Sequence, residues 1–258
     1  MLMDENLSTH SNPESIKDEF NNKISRLTKS KAYLDFCEEV YGYRIYLFNM
    51  MDSEQLDFVF HSILLSSDDT LLDLGCGSGS ILDLLVEKYG CLGIGIDQLN
   101  TDIMGKNDKS VTYISGDIDR LPDYHLKPTV TLSIDSLYFS NELETLLHHL
   151  CGLRNNRMYL FYSQYLFERT TGDRSTLCAD HTKVADILNK SGFSYETIDY
   201  SENERRLYEK ALAALKKRKE EFKNEGNLDL YESKLREDMI GKRLYDEGRA
   251  NRFLYIVK

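Results

Sequence analysis

Short apolar runs alternate with segments of helical periodicity through the middle of the chain. The apolar runs predict buried strands at 70–74, 92–96, 111–115, 130–134 and 158–163. Segments with apolar residues at helical spacing predict helices at 80–89, 99–106, 142–150 and 182–190. Further strands are predicted at 194–199 and 252–257. Strands that alternate with helices predict an α/β fold, a mostly parallel sheet with helices on both faces.

The two ends of the chain add helices to this core. A helical pattern in residues 1–55 predicts an N-terminal helical cap that leads into a core over 56–200. Residues 201–249 are crowded with Lys, Arg and Glu but keep two apolar stripes, which predicts a helical hairpin inserted before a final core strand in 250–258. The hairpin could be a solvated pair of helices packed on the domain, a cover over a substrate site or a dimerisation arm.

A glycine turn stands between the first predicted strand and the following helix, in the sequence TLLDLGCGSGS over 70–80. Gly75, Gly77 and Gly79 occupy alternate positions, which suits a backbone that passes close to a ligand at the mouth of a parallel sheet. Cys76, inside the turn, is expected to be a small buried residue. A dinucleotide turn would need its third glycine where Ser80 stands, so the spacing disfavours a nicotinamide cofactor.

Acidic residues lie at the ends of three successive predicted strands. Asp97 ends the second strand, where a carboxylate can accept hydrogen bonds from both hydroxyls of a ribose. Asp73 precedes the first glycine by two positions, and an acid there suits a ligand with an ammonium group. Asp117 follows the third strand, where a carboxylate can accept from an adenine amine.

With these features in register, the stretch from about Leu56 to Ser163 resembles the class I S-adenosylmethionine (SAM)-dependent methyltransferases. LLDLGCGSGS, GIGID and ISGDID are similar to the first three motifs of that family, and VTLSIDSLYF is similar to the fourth. The resemblance implies a Rossmann-like seven-stranded sheet whose final strand lies antiparallel beside the fifth. It also implies SAM as cofactor and S-adenosylhomocysteine (SAH) as product. The cofactor-binding residues implied are Asp73, Gly75, Cys76, Gly77, Gly79, Asp97, Gln98, Asp117, Ile118 and Ser133.

The acceptor side is predicted from residues near the end of the fourth strand and under the N-terminal helices. Asp135 and Tyr138 are the candidate catalytic residues, and Tyr43 and Tyr46 are the candidate substrate contacts. IDSLYF partly resembles the matching stretch of phosphobase and sarcosine-type N-methyltransferases, in which an acid at this place meets the substrate. Asp135 could instead be a helix-capping acid.

Composition narrows the choice of partner. The formal net charge is −11 and the sequence shows no basic stripe, so nucleic acid is not expected. The five cysteines form no close pair, and no metal site is expected. A polar N-terminus and the lack of a long apolar run favour a cytoplasmic protein without a membrane partner, either a monomer or a homodimer.

These observations predict a methyltransferase that moves a methyl group from SAM to a nitrogen or oxygen atom of a small molecule, with amines among the candidates. Alternatives are a protein methyltransferase, a SAM-binding protein without catalysis and, least favoured, a nicotinamide oxidoreductase.

Overall fold

The computed structural model describes residues 13–167 and 172–258, which contain one mixed sheet. Its strands are β1 Thr70–Leu74, β2 Leu92–Asp97, β3 Val111–Ser115, β4 Val130–Ile134, β5 Arg157–Tyr165, β6 Tyr195–Asp199 and β7 Ala250–Val257. The seven strands follow the order β3-β2-β1-β4-β5-β7-β6. β1 to β5 pair in parallel, and β7 is antiparallel to both β5 and β6. The predicted Rossmann-like sheet, with its last strand antiparallel beside the fifth, is confirmed.

Helices cover both faces of this sheet. The α-helices are α1 Pro13–Leu27, α2 Lys31–Tyr41, α3 Ser53–His61, α4 Ser80–Tyr89, α5 Leu143–Gly152, α6 Lys183–Lys190, α7 Ser201–Asn224 and α8 Leu228–Asp246. Short 3-10 helices include Ile118–Tyr124 after β3 and Leu137–Phe139 after β4. No helix of the described ranges is long and apolar enough to cross a membrane.

Side-chain alternation along β1 divides the core into two layers. Leu71 packs in the layer with the N-terminal helices, α4, α7 and α8, whereas Leu72 and Leu74 pack in the layer with α5 and α6. Asp73 alternates with Leu72 and Leu74 and therefore faces the same side as Leu71. A carboxylate is thus placed beneath the N-terminal helices by strand periodicity alone.

The strand order places the candidate site. β1 pairs with β2 on one side and with β4 on the other, so the chain reverses direction of travel across the sheet at β1. Loops after these strands diverge at the carboxyl ends and leave a crevice there, which is where open α/β sheets bind ligands.

The helix predicted at 99–106 is wrong. Residues 98–104 form bends and turns. Side-chain oxygens accept from the first amides of this segment: Asp97 Oδ1 accepts from the Leu99 amide at 3.0 Å, and Asn21 Oδ1 of α1 accepts from the Asn100 amide at 2.7 Å. Asn and Asp side chains compete in this way with helical backbone bonds, and the short span between β2 and β3 favours them.

The predicted hairpin is formed by α7 and α8 and is built into the core. Its tight contact is Tyr208 of α7 against Gly241 of α8, where an added Cβ would lie 2.2 Å from the tyrosine ring. Phe222 and Leu215 of α7 are fully buried. The hairpin is therefore packed on the domain, and its contribution to the site follows from the position of α8.

Candidate functional site

A cavity of about 430 Å³ opens at the carboxyl ends of β1, β2 and β4. Its walls come from α1, the segment before α3, the glycine turn, the segments after β2, β3 and β4, and α8. The residues that line the cavity are Lys17, Phe20, Lys23, Ile24, Leu27, Tyr33, Tyr46, Leu47, Phe48, Asn49, Gly75, Cys76, Gly77, Ser78, Ser80, Ile81, Asp97, Gln98, Leu99, Ile118, Ile134, Asp135, Ser136, Phe139, Leu230, Lys234 and Glu237. The glycine turn and the ends of the strands therefore line the same cavity as α1 and α8, helices that are far from them in the chain.

The three glycines of the turn are needed for different reasons, although all have positive φ. An added Cβ at Gly75 would lie 2.3 Å from Ser136 Cβ, and one at Gly79 would lie 2.3 Å from the Tyr113 hydroxyl. At Gly77, with φ of +56°, the nearest atom is Phe48 Cδ2 at 3.5 Å. Gly75 and Gly79 therefore permit close packing, whereas Gly77 keeps the cavity side of the turn clear.

Asp97 fixes the turn and also lines the cavity. Its Oδ2 accepts from the Gly77 amide at 2.9 Å, and its Oδ1 accepts from the Leu99 amide at 3.0 Å. Burial raises the pKa of this carboxyl, and the backbone hydrogen bonds oppose that shift. Each oxygen keeps a free lone pair, so the carboxylate can still accept hydrogen bonds from a ligand.

Asp73 is buried beneath the turn and does not line the cavity. Burial, and secondarily the charge of Asp97, raises the pKa of Asp73 to about 7. A cationic group nearby would favour the charged form of the Asp73 carboxyl. The predicted ligand carries an ammonium group, which would have this effect.

The raised pKa of Asp73 predicts a pH dependence of stability. A carboxyl whose pKa is higher in the folded than in the unfolded protein binds its proton more tightly when folded, so its contribution to stability falls as pH rises from about 4 to 7. We expect the free energy of unfolding to lose about 2 kcal/mol from this group between pH 5 and pH 7. Urea unfolding of the wild type and of Asp73→Asn between pH 5 and pH 7 measures this change in unfolding free energy. Parallel curves for the two proteins would contradict the assignment.

Two of the three residues expected to contact an adenine line the cavity, and one does not. Gln98 and Ile118 line the cavity. Asp117 does not; its carboxylate accepts from the Asp119 amide at 3.0 Å and caps the 3-10 helix that begins at Ile118. The structure gives Asp117 a role as a cap, and its contact with a ligand stays a prediction.

Ser133 lies behind the cavity wall. Ser136 Oγ donates to the Leu74 carbonyl at 2.6 Å, so Ser133 Oγ is left to donate to Ser136 Oγ, also at 2.6 Å. Both residues are buried, and Ser136 lines the cavity. The pair ties the end of β4 to the end of β1.

Asp135 lines the cavity and has a left-handed backbone, with φ of +54°. Its carboxylate forms an ion pair with Arg252, at 2.6 Å between Oδ1 and Nη1, and accepts from the Met50 amide at 2.9 Å. A non-glycine residue in this conformation is held there by its surroundings, and such residues cluster at functional sites. The carboxylate is thus already engaged by protein donors.

The three candidate tyrosines have different positions. Tyr46 lines the cavity, and its carbonyl accepts from Ser78 Oγ. Tyr138 packs between Phe139 and Tyr162 outside the lining, and burial raises its pKa well above the usual range. Tyr43 donates to Asp57 and also lies outside the lining. Of these, Tyr46 alone keeps a position in the described structure that suits contact with a bound molecule.

The sequence analysis did not identify the residues that form two walls of the cavity. α1 contributes Phe20 and Ile24, and α8 contributes Leu230 and Lys234, whose Nζ donates to buried Asp238 at 2.7 Å. The helical periodicity of both segments was visible, but it gives only which residues share a face. Which face meets the cavity is decided by the packing of helices that are over 200 residues apart in the chain.

Comparison with known proteins places this geometry in a structural class. Residues 55–136 match the protein family described as methionine biosynthesis protein MetW. The match ends just beyond β4 and so covers the glycine turn, β2, β3 and Asp135. No curated protein matches the chain.

Solved structures match nearly the whole chain. The cyclopropane synthase MmaA2 from Mycobacterium tuberculosis is 13% identical with a TM-score of 0.66, and the match covers 92% of this chain and 98% of that one. Phosphoethanolamine N-methyltransferase 2 from Haemonchus contortus, solved with SAM, is 13% identical with a TM-score of 0.69; the match covers 92% of this chain and 59% of that one. A SAM-dependent methyltransferase from Geobacter sulfurreducens, solved with SAH, is 14% identical with a TM-score of 0.56, over 87% of this chain and 97% of that one. The chain therefore has the class I methyltransferase fold.

Proposed function

We propose that the protein is a SAM-dependent methyltransferase whose acceptor is a small molecule with a nitrogen or oxygen nucleophile. The observation that carries this proposal is the shared cavity, in which the backbone of Gly77 and the carboxylate of Asp97 face the same space as Asp135. Class I neighbours solved with SAM or SAH have the same fold, which supports the choice of cofactor.

The residues present fit SAM. Gly77 leaves open the space between the turn and Phe48 that a side chain would fill. Asp97 has free lone pairs for ribose hydroxyls, and Gln98 and Ile118 lie beside it for the adenine. Asp73, which is buried two residues before the turn, is the acid that we propose for the amino group. When bound, SAM supplies an electrophilic methyl group on a sulfonium sulfur.

The chain's own residues hold the acceptor in position and exclude water from the cavity. Methyl transfer is an in-line displacement, so most of the rate comes from holding the acceptor close to the methyl carbon in a dry site. Phe48, Phe139 and Ile134 give the cavity apolar walls beside Asp135. A volume of about 430 Å³ lies within the range of small-molecule pockets.

Calorimetry with SAH tests the cofactor. We expect the wild type to bind SAH and not NADH, and Asp97→Ala to lower the SAH affinity roughly 10- to 100-fold, since a hydrogen bond to a charged group contributes about 1.5–3 kcal/mol. Asp102→Ala, which removes an exposed acid from the following turn, is the matched control and should bind as the wild type does. Wild-type protein that does not bind SAH would refute the proposal.

A further inference from the structure

A buried charge network links the cavity to the α7–α8 hairpin. Arg252 of β7 is fully buried and makes a two-pronged pair with Asp135, Nη1 to Oδ1 at 2.6 Å and Nη2 to Oδ2 at 3.1 Å. Its Nη1 also lies 3.5 Å from Oε2 of Glu204 on α7, a residue with no exposed surface. One arginine therefore joins the carboxylate that faces the cavity to a carboxylate of the hairpin.

Glu204 is fixed as firmly as Arg252. It accepts hydrogen bonds from the hydroxyls of Ser163 at 2.7 Å, Tyr245 at 2.7 Å and Tyr208 at 3.1 Å. Tyr165 also donates to it. A buried carboxylate with this many donors keeps one position, and so the guanidinium beside it has one position too.

Asp135 and Arg252 also bind the segment before α3 and the first turn of α3. The Met50 amide donates to Asp135 Oδ2 at 2.9 Å, and Arg252 Nε donates to Oε1 of buried Gln55 at 2.6 Å. Met51 Sδ lies 3.4 Å from Arg252 Nη2. We call residues 46–52 the site loop, because its first four residues line the cavity.

We propose that Arg252 and Glu204 are positioning residues that hold Asp135 and, through it, the site loop over the cavity. The α7–α8 hairpin is then part of the binding apparatus, although Glu204 does not line the cavity. Asp135 serves this arrangement as an anchor, since both of its oxygens are bound by Arg252 and one also by the site loop.

The left-handed backbone of Asp135 supports an anchoring role. This conformation is unfavourable for most residues, and Asp and Asn tolerate it best. It aims the carboxylate at Arg252 of β7 and at the Met50 amide, two groups from segments more than 80 residues away on either side. A cap for the following 3-10 helix would need a bond to that helix, and Leu137–Phe139 has no side-chain cap.

Hydrogen exchange and SAH calorimetry on the full chain test this inference. In Glu204→Gln, which keeps the size of Glu204 but removes its charge and one of its two acceptor oxygens, we expect amide exchange in the site loop to rise at least roughly tenfold and SAH affinity to fall roughly tenfold, a coupling of ordinary size. Exchange in β1 and the glycine turn should not change. Arg252→Lys keeps the positive charge but not the two guanidinium nitrogens that bind both oxygens of Asp135. It should increase amide exchange in the site loop while the fold is retained.

Asp69→Asn is the control, because it weakens a partly buried ion pair away from the network, Asp69 with Arg157 at 2.8 Å, where β1 and β5 begin. It should lower stability without faster exchange in the site loop. Site-loop exchange that matches the wild type in both Glu204→Gln and Arg252→Lys would overturn the inference, as would equal loosening in Asp69→Asn. The use of SAH rests on the proposed function, but the exchange measurement does not, so failure of SAH binding by the wild type would refute only the cofactor proposal.

Discussion

Replacement of Arg252 by methionine is expected to lower the free energy of unfolding by roughly 3–5 kcal/mol. The change removes the cation from between Asp135 and Glu204 and leaves two buried carboxylates beside each other. Methionine fills a similar volume, so the loss reports the missing charge and hydrogen bonds. Urea unfolding followed by circular dichroism gives the free energy.

Arg26→Met is the control for this measurement. Arg26 pairs with Asp229 at the surface, where the two side chains are 33% and 63% exposed. Solvent screens such a pair, and its loss should cost under about 1 kcal/mol. An equal effect of the two substitutions would show that the buried network carries no special share of the stability. Arg252→Met combined with Asp135→Asn and Glu204→Gln, which removes all three charges, should recover part of the loss.

Replacement of Gly77 by valine is expected to weaken SAH binding by at least roughly 100-fold, about 2.7 kcal/mol, while the fold survives. Gly77 has φ of +56°, which a β-branched residue adopts only with strain, and the new side chain would enter the space between the turn and Phe48. Calorimetry with SAH measures the affinity, and thermal unfolding shows whether the fold is intact.

Gly192→Val is the matched control, because Gly192 has φ of +73° and an added Cβ there meets no atom within 4 Å. It carries the same kind of backbone strain at a helix end remote from the cavity. Both variants should lose some stability, but SAH affinity should fall in Gly77→Val alone. Affinity retained in Gly77→Val would mean that the turn does not approach the ligand.

Gly75 and Gly79 show what a motif does not reveal. Their spacing was visible in the sequence and was interpreted as room for a ligand. The structure instead places Ser136 against Gly75 and Tyr113 against Gly79, both within 2.3 Å of an added Cβ. A glycine pattern gives the positions where a side chain is excluded, but the excluding neighbour comes from segments elsewhere in the chain.

The sequence by itself determined the sheet and the position of the glycine turn at its edge. β1, β3 and β4 have the predicted bounds, because buried parallel strands are continuous apolar runs whose limits are local. The position of Asp97 at the end of β2 was predictable for the same reason, since the last residue of a parallel strand lies at the carboxyl edge of the sheet.

Tertiary structure alone decided the buried network around Asp135. Arg252 is the first residue of the predicted closing strand, and it is fully buried between Asp135 and Glu204, which are 117 and 48 residues away. Likewise, α8 and the site loop reach the cavity through helix packing. Local periodicity gives which side of a helix is apolar, but a buried ion pair and a cavity wall depend on partners that only the folded chain brings together.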